Sequence, residues 1–161
     1  RDGDYLLNSE FQYRIDTVEF DRLLEQGEAA RRAGKAEQQV AAFEEAITLY
    51  RGDFMQNVYD DWTEELRAYY REQYFRLLET LTLLAQKAED WLRSIQLARK
   101  ILKDDPYRED IHCLVMRAQA ALGKREAIKE QFQTLQRLLK EELGVAPSAE
   151  TQKLYAAMMQ Q

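Results

Sequence analysis

Along most of the chain, apolar side chains recur every three or four positions, the spacing of one helix face. Val18, Leu23, Leu24 and Gly27 begin such a row, which runs to about Ala33 and closes at Gly34. Asp16 or Thr17 suits its N-cap. A second row holds Val40, Phe43, Ala46, Ile47 and Tyr50. The loop "RGDFMQNVYDD" follows, with Asp60 or Asp61 placed to cap the next helix. That third row is the longest, through Trp62, Leu66, Tyr69, Tyr70, Tyr74, Leu77, Leu81, Leu84 and Ala88. It widens through Phe75, Leu78 and Leu83, which predicts burial on more than one side. A fourth helix carries Leu92, Ile95, Leu97, Ala98, Ile101 and Leu102 and stops before Pro106, which disfavours a helical Asp105. A fifth runs from Ile111 to Leu122 and ends at Gly123; a sixth runs from about Arg125 to Leu143. Gly144, Pro147 and Ser148 then introduce a short seventh helix with Leu154, Tyr155 and Met158 on its apolar side.

The first sixteen residues follow a different period. Phe11, Tyr13 and Ile15 alternate with Gln12, Arg14 and Asp16, as in a half-buried strand, and "DYLL" before "NSE" supplies a second strand. A lone hairpin is marginal in water, so residues 1–16 are expected to finish a sheet that lies upstream, with Arg1 a cut point inside a larger protein. Residues 17–161 are expected to form the helical domain.

Composition sharpens this picture. With 45% hydrophobic and 32% charged residues the chain is globular, and two prolines and six glycines leave most of it free to be helical. The net charge of −6 argues against this segment gripping nucleic acid by itself. No apolar run is long enough to span a bilayer, which predicts no membrane contact. A lone Cys113 and a lone His112 build neither a disulfide nor a zinc site; no metal or cofactor is expected, and the cytoplasm is the natural compartment.

The helices also repeat. Leu23 to Tyr50 resembles a tetratricopeptide unit, a helix-turn-helix of about 34 residues: Gly27 and Ala30 are the small residues of its first helix, Gly34 the turn, and Phe43 and Ala46 face back. Leu78 to Pro106 fits a second unit, with Leu81, Ala85, Ser94, Ala98 and Ile101 at packing positions. The same register puts Gly123 at the turn of a third, followed by Ile128, Phe132 and Leu135. A generic helical bundle is the competing reading. The segment "RGDFMQNVYDDWTEELRAYYREQYFR" belongs to no ideal repeat and should lengthen the third helix at its N-terminal end. The fold expected is therefore all-α: a tetratricopeptide-like stack of about seven helices in antiparallel hairpins, preceded by a short β-hairpin remnant. The seventh helix should cap the last apolar face of that stack.

"ITLYRGDF", then "DDWTEELRAYY", then the run from "DPYREDIHC" through "ELGVAPSAETQKLY" together resemble the bacterial transcriptional activator domain, the helical domain of regulators typified by the Streptomyces antibiotic regulatory proteins. The resemblance covers Thr17 to Tyr155. It implies a winged-helix DNA-binding domain directly upstream, and "GDYLLNSEFQYRID" then looks like the last hairpin of that domain. DNA would be reached only through it. One departure stands out: many relatives place glycine at the turn between the third and fourth helices, where this chain has "KAEDW".

No nucleophile–base or phosphate-loop motif is present, and the adjacent acids at Asp60-Asp61, Glu64-Glu65, Asp104-Asp105 and Glu141-Glu142 read as caps and solvated faces. His112 and Cys113 read as packing residues. No enzymatic activity is expected. The candidate surface is aromatic: Tyr59, Trp62, Tyr69 and Tyr74, with Arg67 and Arg71, have the composition of a binding hot spot. The same rings would also fill a groove between repeats, with Trp62 and Tyr70 in the core and Tyr69 or Tyr74 nearer a partner. The function implied is an effector domain that contacts RNA polymerase, a second copy as a homodimer, or the neighbouring winged helix. The alternative is a peptide-binding tetratricopeptide scaffold unconnected with transcription. Against a clamp for a peptide carboxylate, the inner positions hold Asp21, Leu24, Glu28, Glu79 and Leu83 where such clamps need Lys, Asn and Arg.

Overall fold

The computed structural model describes residues 15–55 and 60–160. The expected hairpin, apart from Ile15 and Asp16, falls outside the described residues, as does Tyr59. Seven α-helices lie among the described residues, in two compact units that divide between Arg51 and Gly52.

The first unit is the hairpin of α1 (Asp16–Arg32) and α2 (Ala36–Leu49). Phe20, Leu23, Leu24 and Ala30 of α1 and Ala42, Phe43, Ala46 and Ile47 of α2 are buried. Gly27 is where the two backbones come together. A Cβ there would sit 2.1 Å from Cε1 of Phe43, so the ring occupies the space a side chain would need. Neither Asp16 nor Thr17 is the N-cap: Ile15 holds that position with no side-chain bond, and Asp16 Oδ1 accepts from Thr17 N–H inside the first turn. Val18, expected on the buried row, faces outward.

The second unit contains α3 (Asp61–Lys87), α4 (Trp91–Asp104), α5 (Glu109–Ala121), α6 (Arg125–Leu138) and α7 (Ala149–Met159). Consecutive helices pack on one another as hairpins, around Leu77, Leu78 and Leu81 of α3, Leu97 and Ile101 of α4, Val115 and Met116 of α5, and Leu135 of α6. Each such side chain contributes about 1.5–3 kcal/mol relative to leaving it in water. Ser94 and Ala98 of α4 are fully buried, as expected of the small residues that let helices approach. Leu83 is a correction: it is 54% exposed, so this part of α3 is not covered on that side. Leu92 is likewise exposed, and Trp91 is half-buried in its place.

Three helix ends use one device. After α1, Gly34 N–H donates to Arg31 O and Lys35 N–H to Ala30 O; after α5, Gly123 N–H donates to Ala120 O and Lys124 N–H to Gln119 O. This paired closure needs a left-handed residue at the turn, and Gly34 (φ 71°) and Gly123 (φ 67°) provide it. After α3 the same bonds run from Glu89 N–H to Gln86 O and from Asp90 N–H to Ala85 O, with Glu89 at φ 58°. The turn in "KAEDW" therefore keeps the glycine geometry without the glycine. Asp90 then caps α4, its carboxylate accepting from Arg93 N–H at 3.0 Å.

Past α6 the helix does not continue unchanged to Leu143. Residues Leu139–Leu143 form one π turn, which keeps Leu139 buried while Lys140, Glu141 and Glu142 face water, and Gly144 (φ 68°) ends it. Ser148 caps α7 by accepting from Thr151 N–H. The cap is tied to α5, because Glu109 Oε2 accepts from Ser148 N–H at 2.9 Å. Phe132 of α6 stacks flat on Tyr155 of α7, with centroids 4.0 Å apart and planes 4° from parallel. Arg125 donates to Met159 O at the far end of α7. The seventh helix thus covers α5 and α6, as a terminal cap must.

Candidate functional site

The long third helix positions the candidate surface. α3 has 27 residues and α4 has 14, or about 40 Å against about 21 Å at 1.5 Å per residue. Arg71 is ion-paired at 2.7 Å with Asp104, the last residue of α4, so the turns of α3 before Arg71 run on past the end of that partner. Apart from Thr63, the buried residues of α3 begin only at Leu77. The extension is also tied to the preceding loop. Arg67 Nε donates to Phe54 O at 3.0 Å and its terminal nitrogen to Met55 O at 2.9 Å.

Trp62 is 54% exposed, which corrects its expected place in the core. Tyr69 is 41% exposed and Leu66 37%. These three follow one another at intervals of four and three residues, so they form a single row along the extension. Leu66 was not singled out as a contact residue from sequence, although its spacing from Trp62 was the available signal. Tyr70 and Tyr74, half-buried, lie on the side of α3 nearer its core row. Tyr69 rests edge-on against Tyr70 (5.1 Å), and Tyr70 in turn lies 5.7 Å from Phe54, so the outermost ring stands on a stack of others. Tyr74 meets Phe75 edge-on at 5.3 Å. Its hydroxyl is pushed up from the usual phenol range by burial and by the Asp104 carboxylate. Set against the ~150–250 Å² that an aromatic side chain can bury, the row offers roughly 250–300 Å² of apolar surface. This lies at the lower edge of the roughly 300–600 Å² of the largest apolar patch on an ordinary monomer, a patch that is often functional.

The two arginines expected to join this surface are engaged inside the chain. Arg67 holds the loop, and Arg71 pairs with Asp104 while lying 5.9 Å above the Phe75 ring. They fix the aromatic frame.

An open cleft of about 640 Å³ lies between α5 and α7, lined by Tyr107, Cys113, Arg117, Ser148, Thr151 and Leu154. Its polar groups answer one another. Burial opposes the charge on Glu109, but bonds from the Ser148 amide and from the Thr151 and Ser148 hydroxyls outweigh it and hold the carboxyl low. Cys113 Sγ lies 3.6 Å from Thr151 Oγ1, and burial pushes its thiol up, away from the reactive thiolate. His112 is buried, its Nε2 3.0 Å from Pro106 O and its Nδ1 2.6 Å from the Gln131 amide nitrogen. A neutral ring that donates from Nε2 and accepts at Nδ1 satisfies both bonds. Burial depresses its pKa, outweighing the Pro106 bond and the Glu109 and Asp110 carboxylates that favour the charged form. The cleft is the joint that seats α7. Among the described residues no group of three His, Cys, Asp or Glu side chains is placed to hold a metal ion, and no helix is long and apolar enough to cross a membrane.

The sequence profile of the family described as bacterial transcriptional activator domain matches residues 15–159. Regulatory protein DnrI of Streptomyces peucetius is 28% identical over 98% of this chain, and the chain spans 58% of that relative's length. Among solved structures, the TPR2B-domain:pHsp70 complex of yeast Sti1 matches with a TM-score of 0.57 at 15% identity, covering 89% of this chain and 98% of that one. The C-terminal TPR-containing domain of a Plasmodium falciparum FK506-binding protein matches with a TM-score of 0.61 at 15% identity, covering 91% and 92%. At such identity these two likenesses establish the fold alone: an all-helical, tetratricopeptide-like stack.

Proposed function

The chain belongs to the family of bacterial transcriptional activator domains, and from that premise we propose that it is the protein-contact domain of a DNA-binding transcription regulator. In this reading residues 1–16 end a winged-helix domain and residues 17–161 form the effector, acting in the bacterial cytoplasm. Contact with RNA polymerase, with a second copy or with the winged helix turns DNA occupancy into transcription, and no reaction is catalysed. The observation that carries the proposal is the exposed row of Trp62, Leu66 and Tyr69 on the extension of α3. A helix that continues past its packing partner with its largest rings facing water is built for contact.

The test uses the purified chain and RNA polymerase holoenzyme. Trp62→Ala and Tyr69→Ala should each weaken retention of the polymerase at least tenfold, about 1.4 kcal/mol, while the melting temperature stays within about 2 °C. Full retention by both variants would refute the site. A large fall in melting temperature would instead make these rings structural. The chain alone should not retard duplex DNA at physiological salt, given its net charge of −6.

The alternative, a peptide-binding scaffold, draws on the likeness to the Sti1 complex. The acidic and apolar inner positions argue against it, and Glu79 among them is already paired with Arg108 at 2.9 Å.

A further inference from the structure

We propose that the Trp62–Leu66–Tyr69 row receives a basic amphipathic helix of another protein, in preference to a second copy of this chain. The inference rests on the contact role argued above and deepens it by naming the partner's chemistry.

Shape comes first. The three exposed side chains form a straight row down about two turns of a regular helix. Such a ridge fits the groove between side-chain rows of another helix, whose anchors would recur at three- and four-residue spacing. Because Tyr69 is braced by Tyr70 and Phe54, part of the surface is already ordered before contact.

Charge then selects the partner. Asp61, Glu65 and Glu72 are exposed and lie roughly a quarter turn around α3 from the apolar row, on the flank away from Tyr70 and Tyr74. Of the nearby cations, Arg71 is paired with Asp104, Arg67 lies well around α3 from the rail and donates to the Phe54 and Met55 carbonyls, and Arg76, one turn beyond Glu72, marks the end of the rail. An apolar ridge edged by a carboxylate rail suits a helix with a leucine-like face and flanking lysines or arginines, whose stems cover the rings while their heads reach the rail. Two copies joined through the same ridge would instead bring the two rails into one interface, where like charges oppose association.

The probes are two fluorescently labelled amphipathic peptides of about eighteen residues with identical leucine faces, one carrying lysine and the other glutamate on its remaining positions. Each is titrated against the 161-residue chain by anisotropy at two salt concentrations. The lysine peptide should bind at least tenfold more tightly than the glutamate peptide, and more weakly as salt rises. Trp62→Ala should weaken it about tenfold. The triple reversal Asp61→Lys, Glu65→Lys, Glu72→Lys should invert the preference, whereas Glu126→Lys, Glu130→Lys, Glu141→Lys on the far side of the unit should leave it unchanged. Equal effects of the two triple reversals, or no inversion by the first, would overturn the proposal by reducing the binding to bulk charge. If polymerase retention depends on Trp62 but ignores the α3 reversal, the contact role stands and the basic partner falls. If the peptides behave as expected while polymerase is not retained, the basic-helix site stands and the polymerase reading falls.

Discussion

Replacing Glu89 with glycine should stabilise the second unit. Glu89 sits at φ 58° in the closure that ends α3, matched bond for bond by Gly123 at the end of α5. An L-residue with a Cβ is disfavoured in the left-handed region by about 1–2 kcal/mol. Glycine removes that strain but adds freedom to the unfolded chain, which takes back about 0.4–1 kcal/mol. The net gain expected for Glu89→Gly is about 0.5–1 kcal/mol. In urea this raises the midpoint by about 0.3–0.5 M at unchanged m for a slope of about 2 kcal/mol/M. In a thermal scan it raises the melting temperature by about 1–4 °C. Glu89→Ala is the control: it keeps the strained backbone and removes only an exposed side chain, so it should change stability by less than about 0.5 kcal/mol. Gly123→Ala is the converse. A Cβ there meets nothing within 4 Å, so its cost, about 1 kcal/mol, is the backbone's alone. If Glu89→Gly is neutral or destabilising while Gly123→Ala carries its full cost, the reasoning fails, because two turns with the same bonds would not share the same strain.

Gly27→Ala should destabilise the α1–α2 hairpin by about 1–3 kcal/mol despite alanine's better helix propensity, because its Cβ would overlap the Phe43 ring. Phe43→Leu in the same chain should recover part of that loss, measured as a double-mutant cycle by urea unfolding. The His112 ring is held neutral, with its pKa below the ordinary 6.5, so the unfolded chain binds the proton more readily. Its share of stability is therefore complete above about pH 6.5 and is lost as pH falls from there through the depressed folded value, with a slope of up to about 1.4 kcal/mol per pH unit. His112→Gln should be less stable at neutral pH and should flatten the decline between pH 7 and pH 5; an unchanged slope would show that the carboxylates, not the ring, cause it.

The sequence by itself determined which segments are helical and where several of them stop. Apolar side chains at three- and four-residue intervals fix which face of each helix is buried, Pro106 bars a helical Asp105, and Gly34, Gly123 and Gly144 mark turns whose left-handed backbone other residues resist. These are local constraints, settled within one or two turns of chain. Only the tertiary structure decided which rings of α3 are covered. Trp62, Tyr69, Tyr70 and Tyr74 together spread over a wide arc of α3, and periodicity does not say which part of so wide an apolar arc a neighbour covers. The row of Trp62, Leu66 and Tyr69 lies on the other side of α3 from Arg71, where α4 ends at Asp104, so it stays in water. The roles of Arg67 and Arg71 were hidden for the same reason. Their partners lie 12, 13 and 33 positions away, and a guanidinium offered to solvent looks the same in sequence as one already bound.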